Sequence, residues 1–322
     1  MMHCPPAQLS GAALERAAGC LEEAFPDCRQ GAFFLQFGPG FEVEGLFSTA
    51  PSCLPLAVLP DMPQQHTPDR QLPQLLWGPC QGIKILVLQG HRHPGEGLGV
   101  YPCLLPLAAA WKLGLRRQIF IDSCISLKPE LKAGSWAVLT DFLNGYSGSP
   151  LDGLAELLPD PYPDLSTALA QELNSELVNA LDAVGISPKL CTYQAQPGFH
   201  ICTRAEAELA RTHGAEILGS DLVLEIITAH AFGCQVAAMA LVGAQNAGLS
   251  SRRIQRQDIL ETCRFCSRDF LRGLALALNN IAGQGSPSLQ ANLPAATADE
   301  LIQASITYKS DKKHPLQPLF RP

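Results

Sequence analysis

The sequence is short of charge, and especially of positive charge. Only 16% of its 322 residues are Asp, Glu, Lys or Arg, and 30 acidic residues outnumber 23 basic ones, a formal net charge of −7. A protein that grips a phosphate backbone needs a basic surplus, so nucleic acid is not an expected partner. The chain also has no run of about twenty apolar residues free of Gly, Pro or charge, and it opens on MMHCPPAQLSGAALER, without a basic start or a hydrophobic stretch. No membrane span or export leader is expected, and the expected setting is cytoplasmic. There is no G-x-x-x-x-G-K-[ST], no G-x-S-x-G and no repeat of roughly 20 to 50 residues, which removes support for P-loop nucleotide hydrolysis, nucleophile-elbow hydrolysis and solenoid folds.

Apolar residues, by contrast, make up 47% of the chain. At this size about three quarters of the unfolded surface can be buried, enough for a core without disulfides or structural metal. The twelve cysteines are scattered through apolar segments such as VYPCLL and AFGCQV, where a thiol acts as a small hydrophobe in a reducing compartment. The single C-x-x-C, Cys263 to Cys266, lies in a helical pattern with no second pair at zinc-finger spacing. Neither a metal nor a cofactor is implied.

Short β-branched or aromatic runs alternate with longer helical patterns, the signature of an α/β fold with a largely parallel sheet. The pattern predicts strands over 32–37, 83–89, 118–122, 136–140, 190–195 and 235–242. It predicts helices over 10–25, 101–113, 166–184, 204–212, 222–232 and 256–278, with Ser166 and Thr203 as N-caps. The Pro- and Gln-rich stretch 51–73 reads as a long surface loop. Three segments follow: an N-terminal helical piece over 1–29, a main domain over 30–281, and an aperiodic tail over 282–322.

Ligands of open α/β sheets bind beyond the carboxyl ends of the strands. Polar residues there are Gly38 and Gly40 after the first strand, His91, Arg92, His93 and Glu96 after the second, Asp122 and Ser123 after the third, and Tyr193 on a later one. Asp221, before an apolar helix, reads first as a helix-terminal carboxylate and otherwise as an acid or base. Arg252, Arg253 and Arg256 read as a solvated basic face or a lid edge.

The order of these landmarks resembles the trimeric purine nucleoside phosphorylases, which exchange the base of a purine nucleoside for phosphate. The matching block runs Thr192-Tyr193, Gly198, Thr203, Ala205-Glu206, Gly214-Ala215-Glu216, then Gly219, Glu225, Ala229 and Gly233. Upstream, Gln89-Gly90, His93 and Glu96-Gly97 are similar to the family's Q-G-R-x-H-x-Y-E-G. The resemblance covers about residues 30 to 280. It implies a single three-layer α/β/α domain with a mixed, partly parallel central sheet, a homotrimer or other protein assembly, and a site for a purine nucleoside or base together with phosphate.

Carried over residue by residue, the resemblance places Gly38, Gly40, Arg70, His91 and Ser123 at the phosphate. It places His93, Glu96, Tyr193, Cys202 and Ser220 at the substrate, and leaves His93, Asp221 and Asn246 as catalytic candidates. Many of these positions depart from the family. Pro39 replaces a serine and removes a hydroxyl and a backbone donor. His91 stands for an arginine, and Asp122-Ser123 for Asn-Ala, which brings a carboxylate toward the phosphate. Cys202 replaces the base-binding glutamate, Ile201 the stacking phenylalanine, Ser220 the methionine under the ribose and Arg256 a histidine near the 5′ hydroxyl. Ala244 replaces the asparagine at the leaving purine, which Asn246 replaces only if the loop slips. Loss of one preorganised donor costs about 10² to 10³ in rate, so losing several lowers phosphorolysis by at least ~10⁴.

Three readings stay open: a degraded site that binds nucleoside or base with little or no catalysis, an active enzyme with a rebuilt phosphorolytic or hydrolytic site, and a structural partner docking through the tail.

Overall fold

Four strands alternate their side chains between two cores, and this alternation fixes the layers. In β1 (Phe33–Phe37) Phe34 faces one core while Phe33, Leu35 and Phe37 face the other. The same division separates Leu86 and Leu88 from Ile85 and Val87 in β4 (Ile83–Gln89). It recurs in β5 (Arg117–Ser126) and in β9 (Gln235–Gln245). Strands buried on both faces need helices on both sides. Helices α1 (Gly11–Ala24), α2 (Tyr101–Lys112) and α5 (Val223–Ala231) cover one face, and α3 (Gln171–Ala183) and α6 (Arg256–Gly283) the other. Helix α2 is apolar on all sides because it packs between α1 and α5. The computed structural model describes residues 9–63, 72–245 and 253–283.

The remaining strands are β2 (Ser52–Pro55), β3 (Gln74–Cys80), β6 (Trp136–Leu143), β7 (Lys189–Ala195) and β8 (Ile217–Gly219). The sheet order is β2-β3-β4-β1-β5-β8-β7-β6-β9, and β9 also pairs with β5, so that five strands close into a ring. Strands β4, β1, β5 and β9 are mutually parallel, whereas β3–β4, β5–β8 and β6–β9 are antiparallel, giving the expected mixed sheet in three layers. A register shift at Cys124/Ile125 lets the end of β5 keep both β8 and β9 as neighbours.

Some expectations need correction. The 51–73 stretch is not all loop: it holds β2 and a 3-10 turn at Leu56–Val58, and β3 follows at once. Ser166 does not cap α3. It lies in a separate 3-10 turn (Leu165–Thr167) capped by Asp164, and α3 begins five residues later. Thr203 does cap α4 (Arg204–Thr212), in a reciprocal capping box with Glu206. Residues 282–322, apart from the last two residues of α6, lie outside the described residues. No helix among the described residues is long and apolar enough to cross a membrane.

Candidate active site

The site forms where the carboxyl ends of β4, β1 and β5 meet the end of β8. Phe37 is the last residue of β1 to pair with β5, opposite Ile121, and the chain leaves the sheet at Gly38, whose N–H still bonds the Ile121 carbonyl at 2.8 Å. Asp122 is the next residue of β5. Its carboxyl group fills the space beside the Gly38 Cα, where any Cβ would overlap it. The Asp122 Oδ1 accepts from the Ser123 N–H at 2.5 Å and Oδ2 lies 2.9 Å from His91 Nε2. Both side chains are about 95% buried.

Asp221 approaches from the other side. The chain turns sharply after β8, and Leu222, buried and not glycine, adopts φ 74°. Such a backbone costs about 1–3 kcal/mol and persists only where its surroundings enforce it. The turn presents Asp221 to the cavity, and three contacts hold it there: the Asp221 N–H donates to the Tyr193 hydroxyl (3.2 Å), Ser220 Oγ donates to Oδ2 (3.0 Å), and the Tyr146 hydroxyl donates to the Ser220 carbonyl (2.5 Å). Asp221 Oδ1 lies 3.8 Å from His91 Nδ1 and 3.6 Å from His93 Nε2.

These groups line a cavity of about 170 Å³ that also meets Pro39, Ser123 and Ser220. Its other wall is the loop after β7: Gln196, Gly198, Phe199, His200 and Ile201. Phe199 stacks on His93 with ring centroids 4.3 Å apart. From α6, Arg256, Ile259 and Leu260 complete the lining.

The electrostatics follow from burial. Burial alone would pull the His91 imidazole down, but Asp221 and the hydrogen-bonded Asp122 outweigh it and hold the ring well above its usual range. His93 goes the other way, down to about 4, through burial and the nearby charge of His91. Burial pushes Asp221 up to about 7, against the pull of His91 and with help from Asp122. Burial likewise pushes Glu225, which accepts from Gln36 Nε2 at 3.2 Å, up to about 7. Two buried carboxyl groups, Asp122 and Asp221, thus line the cavity beside the His91 imidazolium, and a third, Glu225, is buried outside the lining.

Of the residues expected at the phosphate, His91 and Ser123 line this cavity; Gly38 lies against Asp122 and Gly40 against Leu260, both outside the lining. Arg70 lies outside the described residues, as does Asn246. Arg92 does not reach over the cavity: it is buried and grips Glu96 through Nε and Nη2 at 2.7–3.0 Å while donating to the Pro63 carbonyl. Glu96 is therefore engaged with Arg92 and with the His93 N–H, outside the lining. Tyr193 is wholly buried behind Asp221, and Cys202 is buried in a small cluster against α4. His93, Asp221 and Ser220 do reach the cavity. Phe199, which no family landmark in the sequence marks, is the aromatic that reaches the cavity. The aromatic position of the family falls on Ile201, and the signal was an aromatic two residues earlier in the same loop.

A fold with a nucleoside-phosphorylase arrangement, opened at the carboxyl ends of its strands, sets the class, and the comparisons agree. The model of the phosphorylase superfamily matches residues 84–274, and the chain belongs to that superfamily. It is 26% identical over 271 residues to purine nucleoside phosphorylase 1 of Geobacillus stearothermophilus, a match spanning 84% of this chain and 98% of that one. It is 25% identical over 260 residues to purine nucleoside phosphorylase 1 of Bacillus subtilis (strain 168), spanning 80% and 95%. The crystal structure of Schistosoma purine nucleoside phosphorylase in complex with hypoxanthine superposes with a TM-score of 0.76 at 20% identity, covering 85% of this chain and 99% of that one, a likeness of fold.

Proposed function

We propose that the protein binds a purine nucleoside or its base in the cavity walled by Phe199, and that phosphorolysis at ordinary enzyme rates has been lost. The relatives named purine nucleoside phosphorylase support the first half. The observation that carries the second is the Asp122 carboxyl group, buried against Gly38 among Pro39, His91 and Ser123, the positions where the resemblance puts phosphate. Two unit charges of like sign at 4 Å repel by about 4 kcal/mol at an effective dielectric of 20, roughly a thousandfold in affinity. Asp122 and Asp221 face this seat: the His91 imidazolium beside Asp122 offsets part of the repulsion, and Asp221, pushed up to about 7, adds to it as pH rises through that value. The base side carries Phe199 and Ile201 beside the polar Gln196 and His200, and Cys202 is buried outside the lining.

The test is phosphorolysis of inosine, guanosine, adenosine and methylthioadenosine by chelator-treated protein, paired with calorimetric binding of hypoxanthine. Saturable base binding with second-order rate constants below about 10⁴ M⁻¹s⁻¹ is expected; rates above that value overturn the reading.

A second reading rests on Asp122 and Asp221 both reaching the cavity. Water takes the place of phosphate: a carboxylate accepts one of its protons as the oxygen bonds to the anomeric carbon, the glycosidic C–N bond breaks, and that proton passes on to the departing base, giving base and free ribose. Base release that needs no phosphate supports it; no release over hours in phosphate-free buffer counts against it.

A further inference from the structure

The sign of charge in this pocket is inverted relative to an anion seat, and its occupant should be inverted as well. We infer that His91, Asp122 and Asp221 bind a divalent transition-metal ion of the manganese or zinc class, a deepening that rests on the proposed displacement of phosphate by Asp122. One donor atom from each of the three residues falls within 4.8 Å of the others. His91 Nε2 is 2.9 Å from Asp122 Oδ2, close to the separation of two neighbouring donors on one ion, and Asp221 Oδ1 lies 3.8 Å from the same ring at Nδ1. Two ionised carboxylates so placed need a proton or a cation between them.

The imidazole is oriented for this duty. His91 Nδ1 donates to the Arg92 carbonyl at 2.9 Å, the usual outer contact of a metal-binding histidine, and leaves Nε2 facing Asp122, where the ion would take the place of the ring's second proton. Asp221 is fixed in advance by Tyr193 and Ser220, and Asp122 by the Ser123 N–H.

A second observation points to the same spot independently. His93 Nε2 and Asp221 Oδ1 are both buried without a hydrogen-bond partner among the described residues, 3.6 Å apart, and the His93 side chain is 8% exposed. His93 Nδ1 accepts from the Gly95 N–H at 2.7 Å, so the proton of the neutral ring sits on Nε2. His93 is therefore no ligand. It is a donor turned into the pocket, suited to hold a water on the ion. One imidazole and two carboxylates fit zinc, manganese or ferrous iron better than an all-oxygen ion such as calcium. Three protein donors leave positions open toward the cavity, as in catalytic rather than structural sites.

The probe is Mn²⁺, because a hard ion avoids the many thiols of this chain. Full-length, chelator-treated protein is titrated while the electron paramagnetic resonance signal of free Mn²⁺ is followed. One ion per chain is expected, with affinity reduced at least ~100-fold in both Asp122→Asn and Asp221→Asn, each checked for folding by circular dichroism. A rise in the wild-type melting temperature with Mn²⁺ that both variants lose is the second expected readout. An undiminished free signal at millimolar protein, or binding unchanged in the two variants, overturns the inference. Phosphorolysis in the chelator-treated protein judges the functional reading by itself: a fast rate there sinks that reading, whereas a failed Mn²⁺ titration sinks only the metal.

Discussion

The Asp122 carboxyl group occupies the volume that a side chain on Gly38 would need, with His91 Nε2 2.9 Å from its other edge. The glycine and the aspartate of this corner are thus one packing solution. Gly38→Ala is expected to destabilise the protein by about 1–3 kcal/mol, the usual cost of overpacking. Urea unfolding measures it, and in an Asp122→Ala background the cost should fall by more than half.

Neutralising the same carboxylate without changing its shape tests the electrostatics. Asp122→Asn should raise the affinity of metal-free protein for inorganic phosphate by on the order of tenfold or more, since one like-charge contact is removed. Equilibrium binding of radiolabelled phosphate reads the change, and an unaltered affinity argues that repulsion is not what keeps phosphate out.

Glu225 sets a pH dependence whose sign is fixed. Its ordinary value near 4.5 rises to about 7 in the folded chain, so between those values the native state holds a proton that the unfolded state has released. Stability contributed by this group is present below about 4.5 and declines as pH climbs toward 7, at no more than roughly 1.4 kcal/mol per pH unit. Glu225→Gln keeps the amide contact to Gln36 and should flatten that decline. Denaturant midpoints of chelator-treated protein across this range check it, and parallel wild-type and variant curves contradict it.

The Arg92–Glu96 pair is almost wholly buried, with side chains 2% and 1% exposed. Removing one partner of such a pair strands the other charge and costs about 3–5 kcal/mol. Glu96→Ala should lose stability on that scale and also release the His93 N–H that Glu96 caps. Melting temperature gives the first effect, and the histidine proton resonances give the second.

Much of the framework was legible because local pattern and tertiary role coincide. The dense apolar run of β4 and the amphipathic, capped α4 stand out at their observed bounds. Strand β3 did not, because QLLWGPC holds a glycine and a proline and no alternation, and it is made a strand by its antiparallel pairing with β4. Strand β8, three residues long, exists through its neighbours β5 and β7. At the candidate site, the strand-end rule picks out His91, His93, Asp122 and Ser123, which the structure brings to one cavity. Arg92 shows its limit: a cation among cavity residues turns inward to Glu96, and only packing decides that. Nor could residue spacing reveal the left-handed turn at Leu222 that delivers Asp221, since nothing in GSDLVLE requires a glycine-like backbone.

The most direct measurement is a pair of calorimetric titrations on chelator-treated wild-type protein, one with hypoxanthine and one with phosphate. Saturable heat is expected for the base and none for phosphate at millimolar concentration. Tight, stoichiometric phosphate binding with Asp122 intact would contradict it.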